Sequence, residues 1–391
     1  MASVLITSAS GRKTLFNDGW QFHLTDSLTV GMPVGAIADS LWQDIRLPHD
    51  WSVTLPFDRN AAPGNDGGYL PAGTAWYKTD LNLKKLPSDR RIELYFEGVY
   101  EKSEVYVNGK LAGGHPYGYT SFFVDLTPFL KKGENEIVVK ADNSNQKNCR
   151  WYSGSGIYRN VWLMETPAIR IANHGVGIQT PDLNTAEISV KVENGSDKAR
   201  LLNVTAEVAG VRRTKSVEVE PKTEETVSIP LTVPNAKSWS PQTPDLYCAL
   251  VSIDENGDTI DSVAKSFGFR TLSWSATDGF RLNGEQILLN GGCVHHDNGI
   301  LGAAAYDRAE RRKAEMLKEA GFNAVRTSHN IPSEAFLNAC DEIGLLVIDE
   351  AFDGWRDAKN SHDYHLLFDE WAAKDVAAMV MRDRNHIFCR P

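Results

Sequence analysis

Three stretches carry residue types that could bind or process a polar substrate. Gly291-Gly292-Cys293-Val294-His295-His296-Asp297 ends in two imidazoles and a carboxylate. Arg326-Thr327-Ser328-His329 supplies a guanidinium and a third imidazole, and Asp349-Glu350 closes an apolar run with two carboxylates. Adjacent residues on a strand point to opposite faces, so at most one of Asp349 and Glu350 faces a common pocket. They read as a strand-end hydrogen-bonding pair, one of which lines the pocket, rather than as a catalytic pair. By the same alternation His296 and Asp297 turn away from His295 and are assigned structural roles. A metal-dependent hydrolase using His295, His296, Asp297, His329 and Asp349 fits poorly: neighbouring histidines on a strand do not face one ion, and no His-x-His spacing occurs.

The elements that must position these groups repeat. Phe322–Val325 reads as a short strand that delivers Arg326, Ser328 and His329 at its end. Pro332 and Ser333 open a helix, with Ser333 accepting from its first turn. Phe336, Leu337, Cys340 and Ile343 share one helical face, and Gly344 stands where a left-handed cap belongs. Leu345–Ile348 is continuously apolar, as a strand covered on both faces should be. A second helix is expected over Arg308–Ala320, capped by Asp307, with Ala314, Leu317 and Ala320 inward. A third is expected over Tyr364–Arg382, with Phe368, Trp371, Ala372, Val376, Met379 and Val380 inward. Strand–helix–strand units with polar residues at the C-terminal strand ends build a TIM barrel, which places its active site on that face. The reading gives the first three βα units, ends before a fourth strand, and leaves the third strand with an unpaired edge.

Upstream the pattern is β. Ile92, Leu94 and Phe96 alternate with Arg91, Glu93, Tyr95 and Glu97, the mark of a half-buried strand, and Asn108-Gly109 predicts a tight hairpin turn. Residues 16–167 read as a sandwich or jelly roll. Trp42, Trp51, Trp76, Trp151 and Trp162 could stack on sugars, but core packing is the preferred reading. Residues 168–271 are poorer in aromatics and read as an immunoglobulin-like sandwich, with Pro230 marking an edge strand or bulge. Residues 272–391 hold the partial barrel, and residues 1–15 are expected to be a leader.

A net charge of −10 with no basic patch argues against nucleic acid or an anionic membrane as partner. Five cysteines without a Cys-x-x-Cys pair indicate free thiols rather than a disulfide frame or zinc site. No apolar run approaches the ~20 residues of a membrane span. The expected location is cytoplasmic, with periplasmic or secreted as the alternative should an upstream signal-peptide start exist.

The motifs FNDGWQF, LPHDW, VYVNGKLAGGHPYGYTSFFVDLT and RWYSGSGIYRNVWL occur in the first domain. WSPQTPDLY and FGFR follow in the second, then LNGG, HHDNGILG, FNAVRTSHN, CDEIGLLVIDEAFDGW and MRDRNH in the third. In this order, and over nearly the whole chain, they resemble glycoside hydrolase family 2, most of all its bacterial β-galactosidase branch. The resemblance implies retaining hydrolysis of terminal β-galactosides in carbohydrate catabolism by two glutamates, an acid/base and a nucleophile, about 5–5.5 Å apart. It places both beyond Pro391: Arg382–His386 matches the family, but Ile387–Pro391 departs from the Pro-Ser and apolar strand that should follow. Neither catalytic carboxylate is assigned, and the chain is expected to be inactive as it stands.

What the resemblance carries over is substrate binding. His295 would hydrogen-bond the sugar, Arg326 would orient the nucleophile and His329 would contact the sugar. Asn148 lies where the first domain reaches into the active site, and Trp355 would form an aromatic wall. No cofactor is implied, although a structural or activating divalent cation is left open. The expected partner is a β-galactoside or related oligosaccharide, with β-glucuronide and β-mannoside behind it, and a homo-oligomer is left open for the full-length form. The alternative is a non-catalytic carbohydrate-binding protein that uses its jelly-roll domain.

Overall fold

The computed structural model describes residues 12–86 and 89–389, so the expected leader lies outside the described residues as far as residue 11. Residues 13–15, counted in that leader, form a strand. Lys13–Leu15 pairs with Val161–Pro167, which continues to Arg90–Phe96 and then Phe122–Asp125 in a four-stranded sheet. A six-stranded antiparallel sheet faces it, in the order Gln43–Ile45, Trp20–Leu24, Thr74–Leu83, Gly133–Asp142, Ser103–Val107, Lys110–His115. Trp20, Tyr77, Leu94, Phe96, Val105 and Val139 fill the space between the sheets. Asn108 and Gly109 both take positive φ, 49° and 77°, as a two-residue type I′ hairpin loop requires.

The strand Arg90–Phe96 differs from expectation in an instructive way. Every residue from Ile92 to Phe96 is buried, the polar ones included. The face that alternation assigned to solvent packs against the other two domains. Glu93 receives Arg170 Nη1 at 2.6 Å from the second sandwich, and the Tyr95 hydroxyl donates to Glu334 of the barrel. Next along, Glu97 accepts from the Trp162 indole at 2.6 Å. Burial, reinforced by the nearby Glu334 charge, pushes the Glu97 carboxyl up to about 7.

The second sandwich sets a three-stranded sheet, Ile169–Gln179, Thr185–Asn194 and Thr223–Thr232, against a four-stranded one built from Val211–Val219, Arg200–Val208, Tyr247–Glu255 and Asp258–Phe267. Its core is Val, Ile, Leu and Ala with Phe267 and Phe269 at one end. Pro230 sits on the edge strand, where its missing N–H is harmless.

A small meander with an Asn283-Gly284 turn leads into four parallel strands: β1 (Gly291–Val294), β2 (Ala324–Thr327), β3 (Leu346–Ile348) and β4 (Phe388–Cys389). They are joined by helices α1 (Asp307–Glu319), α2 (Glu334–Ile343) and α3 (Phe368–Asp383). Helix α2 has the expected ends: Ser333 accepts from the Phe336 N–H, and Gly344 caps at φ 88°. Three expectations fail. A fourth strand does begin, since Phe388 and Cys389 pair with Val347 and Ile348, so β3 gains a partner. Asp307 is inside helix α1 and takes Asn160 Nδ2 at 2.9 Å, leaving Tyr306 at the cap and Ala320 exposed. In α3 the fully buried residues are Asp375, Arg382 and Asp383, while Val376 and Val380 are exposed. Phe368, Ala372 and Met379 do pack inward as expected, with Trp371 against His115, and polar contacts complete the face: Asp375 meets Tyr364 and His115, and Arg382 grips Asp383 and the Pro332 carbonyl. Apolar spacing does not register such a face.

Candidate functional site

Parallel register brings the three polar strand ends level. Cys293 lies opposite Arg326 and Arg326 opposite Ile348, so the residues just beyond each strand emerge at one rim. There Arg326 Nη2 donates to Glu350 Oε1 at 2.7 Å, and His329 Nδ1 stands 3.4 Å from the same oxygen. The Glu350 backbone N–H donates to Thr327 Oγ1 at 3.0 Å, which fixes the carboxylate's root. Its other oxygen, Oε2, is buried without a partner. Asp349 turns the opposite way, as alternation requires. Burial first, and then the Asp383 charge, drive its pKa well up. Asp349 and Glu350 therefore part company, and Glu350 is the one at the rim.

His295 stands at the end of β1 with its ring 5.6 Å from that of His329, perpendicular to it. Partial burial, then the neighbouring His329, lower its pKa, which keeps it a neutral donor or acceptor. Its Nδ1 is buried without a partner. His296 points inward and bonds the Ser153 carbonyl at 3.0 Å, in keeping with a structural role.

The first domain closes this group from above. The Trp151 ring lies 5.7 Å from His295 and 5.5 Å from His329, and its indole N–H donates to the Tyr119 hydroxyl at 3.0 Å. Two fastenings hold its loop. Arg150 forks onto Asp353 at 3.1 and 2.8 Å, and Asn360 Nδ2 donates to the Cys149 carbonyl at 2.9 Å, tying it to the segment after β3. Beyond Trp151 the chain must turn beneath Asp50, whose carboxylate accepts from Tyr152, Ser52, Ser155 and Ala303. Gly154 and Gly156 make that turn at φ 71° and 109°. A methyl at Gly156 would collide with the Tyr77 hydroxyl.

Two other sequence candidates lie outside the His295–His329–Trp151 group. Asn148 is buried behind Trp151, donating to Glu101 Oε1 at 3.1 Å and Asn143 Oδ1 at 2.7 Å. Trp355 is 62% exposed and leans on Phe352 and Phe368. Trp151, read as core from sequence, is only half-buried and faces both imidazoles. Its place three residues after Asn148 was the available signal. Among the described residues no group of three or more His, Cys, Asp or Glu is arranged to hold a metal ion, and no helix is long and apolar enough to cross a membrane.

Comparison with known proteins agrees with this layout. The sugar binding domain of glycosyl hydrolases family 2 matches residues 16–167, a second domain of glycosyl hydrolases family 2 matches residues 169–270, and the family's TIM barrel domain matches residues 276–387. The chain belongs to glycoside hydrolase family 2. Among its family 2 relatives, a β-galactosidase of Bacteroides ovatus is 41% identical over 382 residues, 95% of this chain and 45% of that protein. A putative β-glucuronidase of Formosa agariphila is 37% identical over 389 residues, 97% of this chain and 37% of that one. A crystal structure of a family 2 member from Bacteroides cellulosilyticus superposes with TM-score 0.91 at 38% identity, covering 97% of this chain and 51% of the other. The chain thus spans about half the length of the relatives it matches.

Proposed function

We propose that this chain forms the sugar-gripping part of a retaining β-glycosidase that acts on terminal β-galactosides. The observation that carries the reading is the convergence of Trp151 from the first sandwich with His295, Arg326, His329 and Glu350 at the barrel rim. Such a rim suits a pyranose: an aromatic ring covers a sugar's C–H face, while imidazoles and a fixed carboxylate accept or donate to its hydroxyls. Arg326, already bonded to one carboxylate, has a second edge with which to orient an incoming one. His295 and His329 contact the sugar, Asn148 holds the Trp151 loop in place from behind, and Trp355 extends the aromatic wall outward.

In this reading the acid/base and nucleophile glutamates lie outside these 391 residues, so the chain alone binds sugar without cleaving it. No cofactor is needed for the bond chemistry, because the two glutamates supply both the proton and the nucleophile. The relatives named β-galactosidase and β-glucuronidase make the sugar the open specificity, and the galactoside is preferred because the β-galactosidase is the more similar of the two. Calorimetric titration of the chain with galactose, glucuronate and mannose, with a chromogenic β-galactoside assay alongside, tests the proposal. Galactose binding without turnover is expected. Tighter binding of glucuronate would overturn the choice of sugar, and turnover at a glycosidase rate would overturn the placement of the glutamates.

A further inference from the structure

A cavity of about 220 Å³ lies where the two sandwiches and helix α2 meet, and none of its lining residues belongs to the rim group. One wall is aromatic. Tyr95 and Phe123 stack at 4.3 Å with their planes 18° apart, and His174 sets its edge against both at 5.6 and 5.4 Å. Two lysine side chains line this space, Lys13 from the first sandwich and Lys265 from the second. Among the described residues neither makes a hydrogen bond. Lys13 Nζ instead rests over aromatic faces, 4.0 Å from the Trp162 ring and 5.2 Å from that of Tyr95.

The single carboxylate of the lining is Glu334, which already accepts from the Tyr95 hydroxyl. Arg12, the third cation, is taken up by Asp261 and the Ile171 carbonyl. Two lysine side chains against one lining carboxylate leave this cavity with an excess of positive charge, which an anion would balance. Burial lowers the Lys265 pKa, in line with an unmatched cation. Two further polar atoms, Asn173 Oδ1 and His174 Nε2, are buried at the same cavity with no partner.

We propose that this junction binds a small organic anion, a carboxylate on an aromatic or alicyclic ring, with the carboxylate between Lys13 and Lys265 and the ring along the Tyr95–Phe123 wall. The His174 imidazole and the Asn173 carbonyl oxygen serve its remaining polar edge. Because the occupant touches both sandwiches and the barrel, binding stabilises the junction as a whole. The site is separate from the sugar rim, and its occupant is not the substrate.

The 391-residue chain titrated with benzoate, with benzyl alcohol as the uncharged match, tests this. Benzoate is expected to bind saturably and raise the melting midpoint, and benzyl alcohol is not. Galactose is not expected to compete. Lys265→Met should weaken benzoate binding at least tenfold, while its melting midpoint without ligand stays level or rises because an unmatched charge has gone. Lys13→Met is the second variant and decides the matter should Lys265→Met fail to fold. Absence of saturable binding by both benzoate and phenylacetate would overturn the proposal. So would undiminished benzoate binding in the lysine variants.

Discussion

The indole of Trp151, carried by the first sandwich, stands 5.5 Å from the imidazole of His329, carried by the loop after β2. One wall of the rim thus comes from a domain that ends more than 120 residues before the barrel segment it faces. Trp151→Ala is expected to weaken sugar binding about tenfold, as loss of an aromatic face in a part-dry site does, and Trp151→Phe by clearly less. Calorimetry with galactose measures both, and an unchanged affinity in Trp151→Ala would remove the indole from the site.

Glu350 binds Arg326 at 2.7 Å, but the Arg326 side chain is 43% exposed, so solvent screens the pair. Glu350→Gln, which keeps shape and removes charge, is expected to change folding stability by less than about 1 kcal/mol. Sugar affinity, by contrast, should fall, because Arg326 and His329 both lose the anion that aims them. Thermal melting beside calorimetry separates the two effects. A large drop in melting midpoint would make the pair structural.

Gly156→Ala should cost about 2–4 kcal/mol, since φ of 109° disfavours any side chain and the methyl meets the buried Tyr77 hydroxyl. Gly109→Ala provides the contrast. It also has positive φ, but open space surrounds it, so about 1 kcal/mol is expected. Urea denaturation of the two variants gives the ordering directly, and equal losses would show that the collision at Gly156 is relieved.

Burial, only partly offset by Lys102, raises the Glu101 carboxyl from 4.5 to about 7. The folded chain therefore holds a proton that the unfolded chain releases. The associated stability is complete below pH 4.5 and is lost as pH rises through about 7. Glu101→Gln should remove that loss while keeping the acceptor for Asn148. Relative to wild type it should gain stability on the order of 3 kcal/mol at most between pH 5 and 8. Urea midpoints at several pH values check the slope, and parallel curves for the two proteins would contradict it.

The local grammar of the chain was legible. Ser333 and Gly344 bound helix α2, Asn108-Gly109 closes its hairpin, Pro230 sits on an edge, and Arg326 and His329 leave β2 at the polar rim. These follow from short-range rules of capping, turn geometry and strand alternation, which involve few residues and act before any domain contact forms. The order of motifs likewise carried the family.

Long-range contact decided the rest. Strand Arg90–Phe96 looked half-solvated because alternation cannot say what covers its polar face, and that cover came from Arg170 and Glu334, 77 and 239 residues away from their partners. Helix α3 buries Asp375 and Arg382 because His115 and the Pro332 carbonyl come to them from other segments, and Asp383 is buried as the partner of Arg382. For the same reason Trp151 could be named from sequence but not placed. Whether an aromatic ring packs in a core or faces two imidazoles depends on which surface folds over it, and a sequence pattern with periods of 2 and 3.6 residues contains nothing about that.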